Sequence, residues 1–475
     1  MKRLIQTGVC LVLSVLLLVG WFFIGRDSVG TGPTIPLLAT VATQAVTTTT
    51  GSGESTHSAS SLNTDGTSST DKTTVSVGQV SSVTTIVTTT KPTTSTTTTV
   101  ATTTKPPAAQ PDEVRGVWVS YIELNALFSK CGTQAQAKAA LDGLFDNIKR
   151  YGMNTVFFHV RANSDAYYSS AIFKPASSVE SLLSTGFDPL AYAVEAAHKR
   201  QLELHAWVNP YRIGTKADYI VPDIPTFQDA SKKYYYVPTS TVSQDLILRG
   251  IRELLNQYDI DGVQYDDYFY PTGLLEETAV YAFESADYEA YQQGGGRLSV
   301  GNWRRAGVDA LVAGTYTLTK AKGKVFGVSP NHDAAKTYSQ MYADTKKWLS
   351  QSGYVDYLCP QLYFGFEHST AAFDTMTDTW MSYPRHASVD LYIGLAAYKI
   401  GLKDDRYAGA GRYEWKNHND ILKRSVLHLR RKQLPGFFFY SATFFEPTTC
   451  TVSDFQTANN LSVAKKEIQN LLSIL

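Results

Sequence analysis

Four cysteines stand among 475 residues, too few and too irregularly spaced for a disulfide framework or a zinc site. Cys10 falls in the first apolar run. Cys131, Cys359 and Cys450 remain, an odd set with room for one pair at most. Net charge is equally scarce. The 43 basic and 43 acidic residues cancel, so no basic stripe exists to hold nucleic acid, and that partner is not expected. No Gly-rich phosphate loop follows the first strand-like segment, and there is no Gly-x-Ser-x-Gly elbow. Metal-dependent barrels want His at i and i+2 with further His and Asp ligands. Here His159 is followed at that spacing by Arg161 and His205 by Trp207, so neither a metal nor a cofactor is expected.

What the chain does have is unevenly spread. Met1, Lys2 and Arg3 precede an apolar run from Leu4 to Ile24, about long enough to cross a bilayer as a helix. The basic start and the long chain behind it place the amino terminus in the cytoplasm. A cleaved signal peptide is the rival reading, but the run is long for one and no small-x-small site follows Phe23 closely. Residues 1–30 are therefore expected to be a single-pass anchor in the cell membrane, with the catalytic domain outside. Residues 31–111 are mostly Thr, Ser, Gly and Val, with Thr-Thr-Thr-Lys-Pro at both 88–92 and 102–106. Such a segment cannot bury enough apolar area to offset the entropy of ordering it, which predicts a disordered stalk.

From Asp112 to Leu475 strand-like and helical patterns alternate. Strands are predicted at 115–121, 154–161, 202–209, from Asp261 onward, 325–330, 356–363, 391–398 and 436–441. Helical periodicity is predicted over 134–151, 188–200, 243–258, 302–321, 339–350, 370–381, 414–432 and 463–475. Apolar strands alternating with helices give a parallel sheet covered by helices, and eight such units close into a (β/α)8 TIM barrel. A doubly wound sheet is the alternative, and the missing phosphate loop counts against it.

A barrel of this kind works at the carboxyl ends of its strands. The fourth strand runs into Asp266-Asp267-Tyr268-Phe269-Tyr270, adjacent carboxylates among rings that sugars stack on. Glycosidic cleavage needs one acid to protonate the departing oxygen and another group to stabilise or attack the oxocarbenium-like centre. Asp266 is the first candidate for nucleophile or stabiliser, with Asp267 its competitor. Glu367, flanked by Phe366, is the candidate general acid, since apolar neighbours raise a carboxyl pKa. Arg161, Asp165, Asn209, Tyr211, Asn331, Gln361, Tyr363 and Tyr440 fall at or just beyond strand ends and are candidate substrate contacts. His159 and His205 read as interior histidines; Trp118 and Trp207 read as core or as the floor of a sugar subsite.

Residues 113–445 resemble the glycosyl hydrolase-like family 10 group of bacterial surface proteins. The matching blocks are Glu113-Val114-Arg115-Gly116-Val117-Trp118-Val119, Phe158-His159-Val160-Arg161 with Asp165 to Ser170, and Phe187-Asp188-Pro189-Leu190. His205 to Arg212, Asp261 to Pro271 and Pro360-Gln361-Leu362-Tyr363 complete the set. The resemblance implies a (β/α)8 barrel and glycan hydrolysis, with peptidoglycan strands as the substrate of characterised members; Asp266 and Asp267 are motif positions. The Asp-Gly-x-Arg-x-Asp pattern of α-amylase-like enzymes is similar to Asp261–Asp266, with Gln264 in place of the arginine. The chitinase-like Asp-x-x-Asp-x-Asp-x-Glu pattern fails at Gln264 and Tyr268. The expected function is thus a membrane-anchored glycoside hydrolase of cell-wall glycan. A non-catalytic polysaccharide-binding barrel is the alternative, and a scaffold with a filled, apolar mouth is a third reading.

Overall fold

A computed structural model describes residues 112–450, 452 and 454–475. The proposed anchor and the Thr/Ser-rich stalk lie outside the described residues. Among the described residues no helix is long and apolar enough to cross a membrane.

The strands are β1 (Val114–Val119), β2 (Thr155–Arg161), β3 (Glu203–Val208), β4 (Gly262–Tyr265), β5 (Val325–Val328), β6 (Tyr357–Leu358), β7 in two pieces (Asp390–Leu391 and Ile393–Leu395) and β8 (Gly436–Tyr440). All pair in parallel. The two ends of the ladder are the two pieces of β7, separated only by Tyr392. The sheet therefore meets itself, and its nine segments make a nearly closed barrel of eight strands. Single bridges from Asn331 to Gln361 and from Gln361 to Gly394 carry the pairing of β5, β6 and β7 further toward the carboxyl-end mouth.

A short polar residue before each even-numbered strand of the first six pins the register. Asn154 accepts the Arg115 N–H of β1 at 2.8 Å, Asp261 the Leu204 N–H of β3 at 2.7 Å, and Asp356 the Phe326 N–H of β5 at 2.8 Å. A one-residue slip would turn every inward side chain outward, so these bonds help fix which residues reach the mouth.

The helices form where the sequence caps them. Thr133 accepts from Gln136 N at the start of Gln134–Arg150, whose Ala137, Leu141, Phe145 and Ile148 face the barrel. Asp188 accepts from Leu190 N and Ala191 N ahead of Pro189–His198. Two predicted helices are divided. Residues 339–350 split because Tyr342 takes a positive φ of 53° and Asp344 caps a fresh start; the pieces are Ala334–Gln340 and Thr345–Ser350. Residues 414–432 split into Glu414–Asn417 and Ile421–Arg431. Among the elements that were not predicted, two lie near the mouth. Tyr121–Phe128 is a helix, opened by a capping box between Ser120 and Glu123, so β1 ends before Tyr121. The loop after β3 carries a small antiparallel sheet of Arg212–Gly214, Thr226–Gln228 and Tyr234–Tyr236.

Inside the barrel large rings alternate with glycines. Trp118, Phe157, Trp207, Tyr357 and Phe438 form an interior cluster, and Cys131, Cys359 and Cys450 are free and buried. A Cβ at Gly262 would lie 2.5 Å from His205 Nδ1 and 2.7 Å from the Val325 carbonyl. The His205 ring can shift, but the β5 backbone cannot. Gly262→Ala is expected to destabilise the barrel by about 1–3 kcal/mol, read as a lower urea midpoint at unchanged m; an unchanged midpoint would show that β4 and β5 can part at no cost.

Candidate active site

β4 stops at Tyr265. Tyr268 N donates to Asp266 Oδ1 at 3.1 Å, and Phe269 N donates to the Asp267 carbonyl at 3.0 Å. This turn ends the strand's alternation, so successive side chains no longer have to point to opposite faces. Asp266 Oδ2 accepts from Trp207 Nε1 at 3.2 Å. The Trp207 indole stacks on His159, with centroids 3.7 Å apart and planes 15° apart. His159 Nδ1 in turn accepts from Tyr121 N at 3.3 Å. The carboxylate of Asp267 accepts from the side-chain amides of Gln361 and Asn331. One acid is thus held from β3 and the other from the ends of β5 and β6.

The two environments separate the acids electrostatically. Asp266 is buried, and burial together with the neighbouring Asp267 charge pushes its pKa well above the carboxylate range. The Tyr268 N–H, the Arg212 charge and the Trp207 N–H oppose that rise. Asp267 is half-buried; desolvation pushes it up to about 6, against its own backbone N–H and the Gln361 and Asn331 bonds. Both acids are raised, Asp266 the further, so a proton held by the pair rests preferentially on Asp266 and the charge on Asp267. His159 is kept neutral by burial and by the Arg212 and Arg161 charges.

Around the pair stands an aromatic wall. Tyr440, at the end of β8, lies 6.2 Å from Trp118, 6.4 Å from Trp207, 6.0 Å from Tyr363 and 6.2 Å from Tyr398 between ring centroids. Trp118 Nε1 donates to Gln264 Oε1 at 2.6 Å, which gives the residue in the arginine position of the amylase-like pattern a structural task. Tyr268 is exposed at the rim. Among the described residues no group of three His, Cys, Asp or Glu is placed to hold a metal ion.

The structure thus gathers Asp266, Asp267, Asn331, Gln361, Tyr363 and Tyr440. Others it places elsewhere. Arg161 is buried, donating from Nη2 to the Pro210 carbonyl at 2.9 Å and lying 4.6 Å over the Phe173 ring. Asn209 is buried and donates to the Ala162 carbonyl at 2.9 Å; Tyr211 is buried in the main core. These three present no side chain to a cleft surface, because the loops after β2 and β3 fold over them. Asp165 is buried too, accepting from Asn163 N at 3.0 Å, but lines a cavity beside the pair. Glu367 keeps 52% of its side-chain surface exposed, 3.6 Å from His418 Nε2, and its N–H donates to Glu414 Oε2 at 2.9 Å. Phe366 packs on Phe373 instead of shielding it, so the apolar surroundings expected for Glu367 are not there.

Arg212 has no assigned role in the sequence analysis, and Tyr121 figures there only as a strand-end residue. The Arg212 guanidinium lies 5.7 Å from the Tyr121 ring and 5.0 Å from the Tyr268 ring. Their signal was faint: Arg212 comes four residues beyond the end of β3, past a proline turn.

A family model described as glycosyl hydrolase-like 10 matches residues 113–408. The chain belongs to this family. It is 32% identical over 366 residues to glycosyl hydrolase YngK of Bacillus subtilis (strain 168), covering 70% of this chain and 69% of that one. It is 30% identical over 371 residues to glycosyl hydrolase DigH of Escherichia coli (strain K12), covering 67% and 82%. Among solved structures, the PgaB (BpsB) glycoside hydrolase domain from Bordetella bronchiseptica superposes with a TM-score of 0.49 at 12% identity, over 73% of this chain and 99% of that one. The Asp266–Asp267 turn, Trp207, Arg212 and Gln361 of this glycosyl hydrolase-like 10 chain all lie within the matched span.

Proposed function

We propose that this glycosyl hydrolase-like 10 domain cleaves O-glycosidic bonds in cell-wall glycan, with peptidoglycan strands as the substrate. The supporting observation is the adjacent Asp266–Asp267 pair, whose surroundings raise the two acids unequally, at a barrel mouth walled by aromatic rings. The relatives are named glycosyl hydrolases, which supports the reaction class. Asp267, half-buried and carrying the charge, meets the sugar and stabilises the positive centre that forms as the bond breaks. Asp266 gives its proton to the departing oxygen, and water then adds to the positive centre, its released proton returning to the pair. Asn331 and Gln361 fix Asp267 while leaving part of it open. No role is assigned to Glu367, which has partners of its own. In this reading residues 1–30 anchor the chain in the cell membrane, and the Thr/Ser-rich stretch lets the barrel reach the wall.

A polysaccharide-binding barrel would use the same rings and amides but has no need of a pair of unequally raised acids. Incubating the chain with purified glycan strands and counting reducing ends tests the choice. New ends are expected; strands bound but uncut would leave the binding barrel as the better reading.

The pH dependence follows from the pair. Because burial raises Asp267 to about 6, kcat/KM is expected to fall as pH drops through about 6, where that carboxylate gains a proton. On the alkaline side the rate should fall once Asp266 gives up its own. A profile with no acid limb between pH 5 and 7 would remove Asp267 from the role of required carboxylate.

A further inference from the structure

Beside the acid pair, among the loops after β1, β2 and β3, lies a cavity of about 250 Å³. It is smaller than the roughly 300–1,000 Å³ of sites for drug-sized ligands, which suits one sugar unit better than several. Arg212, Lys216 and Lys233 line it, with Asp165 as its single carboxylate and Tyr121 and Asn163 also in its wall.

One of the three cations is held at a cost. Lys233 is half-buried, and its pKa is lowered by burial and then by the Arg212 charge. Arg212 lies between the faces of Tyr121 and Tyr268, 5.7 and 5.0 Å from their centroids. Lys216 sits 5.4 Å over the Tyr219 ring. Asp165 is partly committed, with its Oδ1 accepting from Asn163 N at 3.0 Å. Lys233 also feels the Asp229 carboxylate, so the excess rests on Arg212 and Lys216 against the partly committed Asp165, which matches an anion. A guanidinium flanked by two rings presents a planar fork suited to a carboxylate. The Asp165 charge would repel a doubly charged group more than a singly charged one.

We propose that this cavity is a glycan subsite that takes a sugar bearing a carboxylate, held by Arg212 and Lys216. Its position follows from the turn at the end of β4: Arg212 touches Tyr268, whose N–H holds Asp266. A sugar seated there is a neighbour of the one at the acid pair. That last step rests on the hydrolase reading, whereas recognition of the carboxylate does not.

The test uses the full chain and two matched probes: purified glycan strands with their carboxylates intact, and the same strands with those groups reduced to alcohols. Dissociation constants are measured for the parent, Arg212→Gln and Lys216→Gln. The parent is expected to bind the acidic strands about tenfold more tightly, a margin that narrows with added salt. Each variant should shrink the margin by weakening only the acidic strands. Equal binding of the two strands by the parent would overturn the proposal, as would variants that weaken both strands alike. Reducing ends counted in the same mixtures answer the separate question of catalysis. A chain that keeps the binding margin and cuts neither strand would sink the hydrolase reading and leave the subsite standing.

Discussion

Asp267→Asn is expected to lower turnover on glycan strands by roughly 10²–10⁴-fold, the range for losing a positioned acid–base group, while the strands still bind. Asparagine keeps the shape and can still accept from Gln361 and Asn331, which bond the carboxylate in the parent. It loses the charge that stabilises the positive centre. It also removes the neighbouring charge that helps hold Asp266 protonated, so the proton behind it becomes easier to lose. The acid limb near pH 6 should vanish along with the rate. Asp266→Asn acts differently. Its single amide oxygen can keep one of the two bonds, from Tyr268 N to Oδ1 or from Trp207 Nε1 to Oδ2, and it holds no proton to deliver. Turnover should fall by about 10²-fold or more, with the acid limb retained and the alkaline limb gone. Loss of transition-state stabilisation lowers kcat and kcat/KM together, whereas a damaged fold or a lost binding contact changes KM or the dissociation constant as well. Parent-rate turnover by Asp267→Asn would remove the carboxylate chemistry proposed for this mouth. Both variants retaining the same bell-shaped profile would show that the titrating groups lie elsewhere.

The barrel was legible in the sequence because its signal repeats. Apolar strands such as Thr155–Arg161, buried throughout, alternate with helices whose starts are marked by Thr133 or by Asp188 before Pro189. Where one local signal competed with another, the reading slipped. The helix at Tyr121–Phe128 was hidden by the apolar run that precedes it, although the Ser120–Glu123 capping box was there to be seen. The acid pair was legible as a pair but not in its geometry. An uninterrupted strand would send Asp266 and Asp267 to opposite faces, leaving only one of them to meet a sugar. The turn made by Tyr268 N and Phe269 N removes that alternation. Arg161, Asn209 and Tyr211 were chosen as strand-end polar groups; strand position says nothing about the Arg212–Tyr236 sheet and other loop segments folded above them. Glu367 was chosen for its phenylalanine neighbours, but adjacency in sequence did not become burial in space.

The closure of the barrel gives the second large effect. Glu113, just before β1, and Arg430, on the helix Ile421–Arg431, are both buried. Arg430 Nε donates to Glu113 Oε2 at 2.7 Å and Nη2 to Oε1 at 2.8 Å, while Nη1 reaches the Ile474 carbonyl at 2.9 Å. Arg115 Nη1 adds a bond to the Leu475 carbonyl at 2.6 Å. One guanidinium therefore joins the approach to the first strand, the helix before the last strand and the end of the chain. Removing only its carboxylate leaves a buried cation without a counter-charge, a loss of about 3–5 kcal/mol in comparable pairs. Glu113→Gln is expected to cost that much, seen as a lower denaturant midpoint for the cooperative unfolding of the barrel. Replacing both partners with apolar residues, Glu113→Leu with Arg430→Leu, removes the orphaned charge along with the pair. The double variant should recover most of the stability, because a buried ion pair and a well-packed apolar pair of similar volume often differ little. A double variant as unstable as Glu113→Gln would mean that the bond to Ile474, not the ion pair, fastens the chain end. A single variant with the parent's midpoint would mean that β1 is held to β8 by its backbone ladder alone.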